Sequence, residues 1–252
     1  MLGLLIFPTK SAKIIFNGLV ANASILIKIR EAVFLGKFVI SSEDAAIQYL
    51  KKKDKRLCKV IDAIGDIECN IHSDAYSFIV DEIIGQMLSN KVADVISTRF
   101  SALCYGNVTV ENVSLLTVNQ LRGIGLSNAK SNYILTFTDA IRNNIIDLDD
   151  LSNYSDSEVI GKLTSIRGIG TWTSKMFLIF ILCRPDVLPY EDGAFMKSYK
   201  WLYKVEDVSP SAIKEKCKKW CPYSSIAARY LYRALDMGFT KKPFHLFSPL
   251  KF

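Results

Sequence analysis

Asp192 is the residue of this chain with the clearest chemical potential. It follows Pro189-Tyr190-Glu191 and precedes Gly193, where helical spacing begins and runs toward Trp201. An Asp in that place is first of all a helix N-cap, its carboxylate accepting backbone N–H bonds of the first turn. Held ionised, the same carboxylate is suited to stabilising a cation that develops on a sugar. Upstream, Arg167-Gly168-Ile169-Gly170-Thr171 places a Gly-x-Gly turn between two stretches of helical spacing. The glycines let the backbone turn tightly and bring its N–H groups close to a partner. Together with the unpaired N–H groups opening the next helix, they make an anion site suited to a phosphate. Lys175 falls on the first turn of that helix or just beyond it. Such a hairpin grips a nucleic-acid backbone without reading sequence; a tight turn in a helical bundle shows the same pattern. Trp172 and Tyr190 are aromatic groups beside these two features, each readable as a pocket wall or as core packing.

The elements that must hold these residues are helical. Ser155–Ser165 and Trp172 to about Cys183 form the two arms of the hairpin, with Thr171 placed to cap the second. Pro185 ends that arm because it cannot continue a helix. Nearer the N-terminus, Ser41-Ser42-Glu43-Asp44 opens a helix over Ala45–Lys53, and Leu57–Gly65 carries helical periodicity. Asp74 caps a helix from Ala75 to about Leu88, and Ser89 opens another to about Leu103. Val113–Gln120 and Ser127–Arg142 make a further pair. No strand is read beyond the N-terminal segment, so the class is all-α. The run Lys51–Arg56 reads as a solvated helix end, and Lys214, Lys216, Lys218 and Lys219 as a solvated face. Leu121–Gly125 echoes Ile166–Gly170 at a spacing of 45 residues, with Lys130 standing where Lys175 stands. Chance similarity of two αα turns and an ancient duplication both explain it; two basic hairpins could flank one duplex.

Composition sets outer bounds. Half of the 252 residues are apolar and 23% are charged, which places the chain among ordinary globular proteins. Basic residues outnumber acidic ones 32 to 25, and the net charge of +7 suits a polyanionic partner. Six cysteines at 58, 69, 104, 183, 217 and 221 include no Cys-x-x-Cys. They build neither a zinc site nor a four-cysteine iron–sulfur cluster, and read as reduced thiols. With only His72 and His245 present, histidine-based chemistry is disfavoured, and no metal is expected from side chains. Residues 1–40 form an N-terminal extension distinct from the domain expected over 41–252. Its apolar stretch Ile14–Ile29 is broken by polar residues and too short for a membrane span of about 20 residues. Lys10 and Lys13, this stretch and Ala21-Asn22-Ala23 superficially have the form of a signal peptide.

Three blocks in order resemble the helix-hairpin-helix, Gly-Pro-Asp superfamily of DNA glycosylases, most of all its 3-methyladenine glycosylase II branch. One is Leu163-Thr164, Gly168-Ile169-Gly170, Trp172-Thr173, Arg184–Val187, Pro189 and Asp192. Another is Trp220–Ser225 with Ala227–Leu231; the third is Ile84–Ser89 with Lys91-Val92-Ala93. The resemblance implies two helical lobes with the active site in the cleft between them. It implies a monofunctional N-glycosylase that flips alkylated purines out of double-stranded damaged DNA. Asp192 is then the catalytic carboxylate, Trp172 and Tyr190 the base pocket, and Arg167 to Thr171 with Lys175 the DNA-binding hairpin. Trp172 stands where lyase-competent members carry their Schiff-base lysine. A bifunctional oxidised-base enzyme using Lys175 or Lys197, and a non-catalytic DNA-binding protein, are the alternatives. No cofactor is implied as a requirement; a monovalent cation held by main-chain carbonyls of the hairpin is a candidate. The same resemblance implies a monomer acting on DNA in the cytoplasm (nucleoid) or nucleus, away from membranes, with no use for export. Departures from the family pattern are Tyr190-Glu191 before the Asp, Ser224 in the place of Arg, and Met87 in the place of a second Gln.

Overall fold

The structure, a computed structural model, describes residues 37–70, 72 and 74–249. Strand β1 (Lys37–Ile40) pairs antiparallel with β2 (Ile67–Asn70), Phe38 opposite Cys69 and Ile40 opposite Ile67. Between the strands lie helices α1 (Ala45–Lys53) and α2 (Lys55–Ile64). Asp44 sits at the N-cap of α1, with its carboxylate turned back to accept the Ser41 N–H at 2.9 Å. Gly65, at φ 72, stops α2 in a conformation that suits glycine.

The chain continues through α3 (Ala75–Gly85), α4 (Asn90–Leu103), α5 (Val110–Ser114), α6 (Val118–Gly123) and α7 (Asn128–Arg142). Next come α8 (Asp156–Thr164) and α9 (Thr171–Phe180), then α10 (Gly193–Tyr203), α11 (Pro210–Cys217) and α12 (Ser224–Asp236). Local capping starts several of them. Asp74 accepts from Tyr76 N and Ser77 N, Ser127 from Lys130 N, and Ser155 and Glu158 form a reciprocal capping box.

The described residues divide into two compact units, one of 72 and 74–182, the other of 37–70 and 183–249. In the first, the rings of Tyr76 and Phe137 stack at 5.4 Å, and the Tyr76 hydroxyl shares a hydrogen bond with Thr138 Oγ1 at 2.8 Å. In the second, Trp220, Phe195, Tyr199, Tyr230, Leu57 and Leu231 lie in one core cluster.

The mainly helical class holds, with the sheet as an addition. β2 lies outside the N-terminal segment, and its four residues carry too little pattern to announce a strand whose partner residues are 27 to 33 positions away. Residues 37–40 belong to the folded unit through β1, while 1–36, and the signal-like pattern in them, lie outside the described residues. The helix expected over Val113–Gln120 is two helices, because Thr117 and Gln120 form a capping box that starts α6 afresh. α3 ends at Gly85, earlier than Leu88.

Asp54 does not belong to a solvated run. It is 2% exposed, caps α2, and accepts from the Tyr203 hydroxyl, from Trp220 Nε1 at 3.0 Å and from Lys219 Nζ at 3.0 Å. Burial works against its charge, yet the donors from Tyr203, Trp220 and Lys219 outweigh it and hold the carboxyl below its ordinary range. Burial, the nearby Asp54 charge and the hydrogen bond to it drive the Tyr203 hydroxyl upward. Lys214, Lys216 and Lys218 are exposed, as a solvated face requires; Lys216 and half-buried Lys219 also lie over the Tyr203 ring at 5.2 and 5.1 Å, and Lys214 over Tyr190 at 4.6 Å.

Candidate active site and nucleic-acid interface

The hairpin between α8 and α9 is built as its glycines require. Gly168 has φ +99, and a Cβ there would meet Tyr133 Cγ at 2.3 Å, so both conformation and space demand glycine. Gly170 is different: its added Cβ would meet nothing within 4 Å. That open side is where a partner can approach the backbone. Gly170, not Thr171, is the N-cap of α9, and Thr171 is the exposed first helical residue. The Gly170 carbonyl accepts from Ser174 N and Ser174 Oγ, both at 3.0 Å. Arg167 is exposed and Ile169 buried, so the turn is anchored by its apolar residue and presents its cation.

Lys175 departs from expectation. It is 7% exposed, within the stretch Thr173–Ile179 of α9 that is buried all round. What the turn leaves open to a partner is the side of Gly170 at the start of α9, with Arg167 as its exposed charge. Trp172, on the first turn of α9, is half-buried.

The echo hairpin between α6 and α7 is not a second copy. Its left-handed glycine is Gly125, at φ 108, which corresponds to Gly170 and not to Gly168. Lys130 is turned inward: its Nζ donates to the carbonyls of Ile84 at 2.8 Å and Gln86 at 2.5 Å, at the C-terminal end of α3. Burial lowers the pKa of this lysine. Gln86, which sequence reading matched to a motif without giving it a task, donates from Nε2 to the Gly168 carbonyl at 3.0 Å. Next to it, Met87 is fully exposed at φ 59, with Leu88, Val92 and Val95 also exposed.

In the second unit, Asp192 is the N-cap of α10 and accepts the Phe195 N–H at 2.6 Å through Oδ1. Its own N–H donates to the Pro189 carbonyl at 3.0 Å, so the Pro189–Asp192 turn and the helix start hold it from both sides. It is 9% exposed. Tyr190 is half-buried, under Lys214. The segment before it is fastened to the start of α12. Asp186 Oδ1 accepts from Ser224 Oγ at 2.6 Å and Ser224 N at 3.1 Å, and Ser225 Oγ accepts from Val187 N at 2.9 Å. Ser224 thus receives a definite task in the place where the family pattern has Arg. The adjacent Cys221 thiol is pushed up by its hydrogen bond with Asp186. The peptide bond Cys221-Pro222 is cis.

The family model described as "HhH-GPD superfamily base excision DNA repair protein" matches residues 80–223. The chain belongs to this superfamily. The match takes in the end of α3, both hairpins, Asp192 and the Trp220–Tyr223 stretch. Among curated relatives, DNA-3-methyladenine glycosylase 1 of Schizosaccharomyces pombe is 26% identical over 212 residues, 81% of this chain and 93% of the relative. Among solved structures, DNA-3-methyladenine glycosidase from Bacillus halodurans has a TM-score of 0.71 at 29% identity, covering 82% of this chain and 96% of that one. The Schizosaccharomyces pombe 3-methyladenine DNA glycosylase in complex with abasic DNA also has a TM-score of 0.71, at 26% identity, covering 77% and 98%. The hairpin lies in residues 74–182 and the Asp192 N-cap in residues 183–249. No helix among the described residues is long and apolar enough to cross a membrane.

Proposed function

We propose that this protein is a monofunctional DNA N-glycosylase that removes alkylated purines, of the 3-methyladenine and 7-methylguanine type, from double-stranded DNA. The observation that carries the choice of chemistry is Trp172 on the first turn of α9, where the resemblance places the lysine of lyase-competent members. Similarity to proteins named 3-methyladenine DNA glycosylases supports the choice of base.

A base within a duplex is out of reach, so the nucleotide is extruded, at a cost of about a few kcal/mol that is smallest for damaged pairs. The main-chain N–H groups at Gly170 and the start of α9 hold a backbone phosphate, with Arg167 beside them. Met87, apolar and fully exposed, enters the base stack in the place of the extruded base. Trp172 offers a face to the cationic purine, while one face of Tyr190 is taken by Lys214. That purine is already a good leaving group and needs little acid catalysis. Asp192, held at the start of α10, stabilises the oxocarbenium-like sugar and orients the water that attacks C1′. Ile166 O and Gly168 O each accept one N–H, from Ile169 N and Gln86 Nε2, and keep a second lone pair for a monovalent cation. Such an ion would add positive charge beside the phosphate. The working form is a monomer with the DNA of the nucleoid or nucleus.

The test is a panel of duplexes, each with one lesion, incubated with the protein and then with alkali to cut at abasic sites. Strand breaks at 3-methyladenine and 7-methylguanine, without borohydride trapping of a protein–DNA adduct, are expected. Trapping through Lys197 or Lys175 would move the protein to the lyase class. No base release from any lesion would leave a DNA-binding protein without catalysis.

A further inference from the structure

The C-terminal end of α3 carries carbonyls that its own helix does not satisfy. Lys130, entering from α7, supplies donors to two of them, Ile84 O at 2.8 Å and Gln86 O at 2.5 Å. A cation in that place also complements the helix dipole. From the same turn, Gln86 Nε2 reaches the Gly168 carbonyl at 3.0 Å. Three residues beyond Lys130, on the same face of α7, Tyr133 lies against Gly168 so closely that no Cβ fits between them. One helix face thus touches both the turn that presents Met87 and the hairpin, and Gln86 joins those two to each other. Met87 itself is held at φ 59, a backbone state that a non-glycine residue keeps only where its surroundings impose it.

We propose that Lys130 and Gln86 are positioning residues for base extrusion, fixing the Met87 turn to the hairpin so that wedge and phosphate grip act as one rigid piece. This rests on Met87 being the residue that enters the duplex. A wedge is effective only at a set offset from the phosphate being held, and a loose turn loses that offset.

The test uses the full chain and a duplex carrying 2-aminopurine beside an alkylated base, with fluorescence reporting extrusion and a separate assay reporting excision. Lys130→Met keeps the alkyl stem and removes the donors. It is expected to lower extrusion by on the order of tenfold, as Met87→Ala does, while excision from single-stranded DNA changes little. Lys130→Met combined with Met87→Ala is expected to be no worse than Met87→Ala alone, since one acts through the other. Lys130→Arg is expected to restore extrusion. Multiplying losses in the double variant, or equal losses on single-stranded and duplex DNA, would overturn the proposal. Should Lys130→Met fail to fold, Gln86→Leu removes the tie to Gly168, with the longer contact to Thr173 Oγ1 at 3.5 Å, and is read in the same way. Extrusion needs no bond cleavage, so extrusion by wild type without base release would sink the glycosylase reading and leave this one standing.

Discussion

Gly168 and Tyr133 are in such close contact that a methyl group on Gly168 would lie 2.3 Å from Tyr133 Cγ. Gly170, two residues on, faces open space. The two glycines of one turn therefore predict opposite behaviour. Gly168→Ala is expected to cost about 2–4 kcal/mol of stability, from left-handed strain and overpacking together. Gly170→Ala is expected to melt with the wild type yet bind duplex DNA more weakly, because the added methyl stands where the phosphate approaches. Thermal melting and DNA titration of both variants check this; unchanged binding by Gly170→Ala would remove the phosphate from that turn.

Asp54→Asn is expected to destabilise the protein by about 2 kcal/mol near neutral pH, since it removes the buried charge from a half-exposed ion pair with Lys219 and weakens bonds from Tyr203 and Trp220. The Asp54 carboxyl is lowered from an ordinary value of 3.8, so its contribution is fully present above that value and is lost as pH falls through the lower folded value. Wild type should lose part of its stability from about pH 4 downward, and the variant should lack that component. Urea midpoints across the acidic range decide it; parallel curves would refute the assignment.

Much of this was legible locally. Asp74, Ser127, Ser155 and Asp192 announce their helices because capping needs only the next few residues, and each makes its cap bond. What was hidden depends on partners distant in sequence. Asp54 stands in a run of charges, and only the packing of Trp220 and Tyr203 around it makes it a core residue. Lys175 follows a Gly-x-Gly turn as a phosphate ligand would, but it lies in a stretch of α9 that is buried all round. Lys130 has the same local setting and is drawn to the end of α3, where Gly85 closes the helix. The break at Thr117 could have been read from its spacing to Gln120, yet continuous apolar periodicity masked it.

Ser225→Ala leaves the buried Val187 N–H without its acceptor. A loss of about 1–3 kcal/mol is expected, measured as a lower urea midpoint. Since that bond fastens the segment leading to Asp192, base release should slow as well. A variant as stable as the wild type would show that the joint is not held by this bond.

Trp172→Ala should discriminate between lesions by charge. A cation over an indole gains about 0.5–2 kcal/mol, so excision of 7-methylguanine is expected to fall roughly twofold to thirtyfold further than excision of a neutral lesion such as hypoxanthine. Equal losses on both would mean that the ring contributes shape alone.

Asp192→Asn isolates the charge, because Asn caps a helix as well as Asp and the bond from Phe195 N–H survives. The decisive measurement is the rate at which this variant releases free 3-methyladenine from alkylated duplex DNA, alongside its affinity for that DNA. Release slower by on the order of a hundredfold or more, with binding and melting unchanged, is the expected result. Release at the wild-type rate would contradict the role given to the carboxylate.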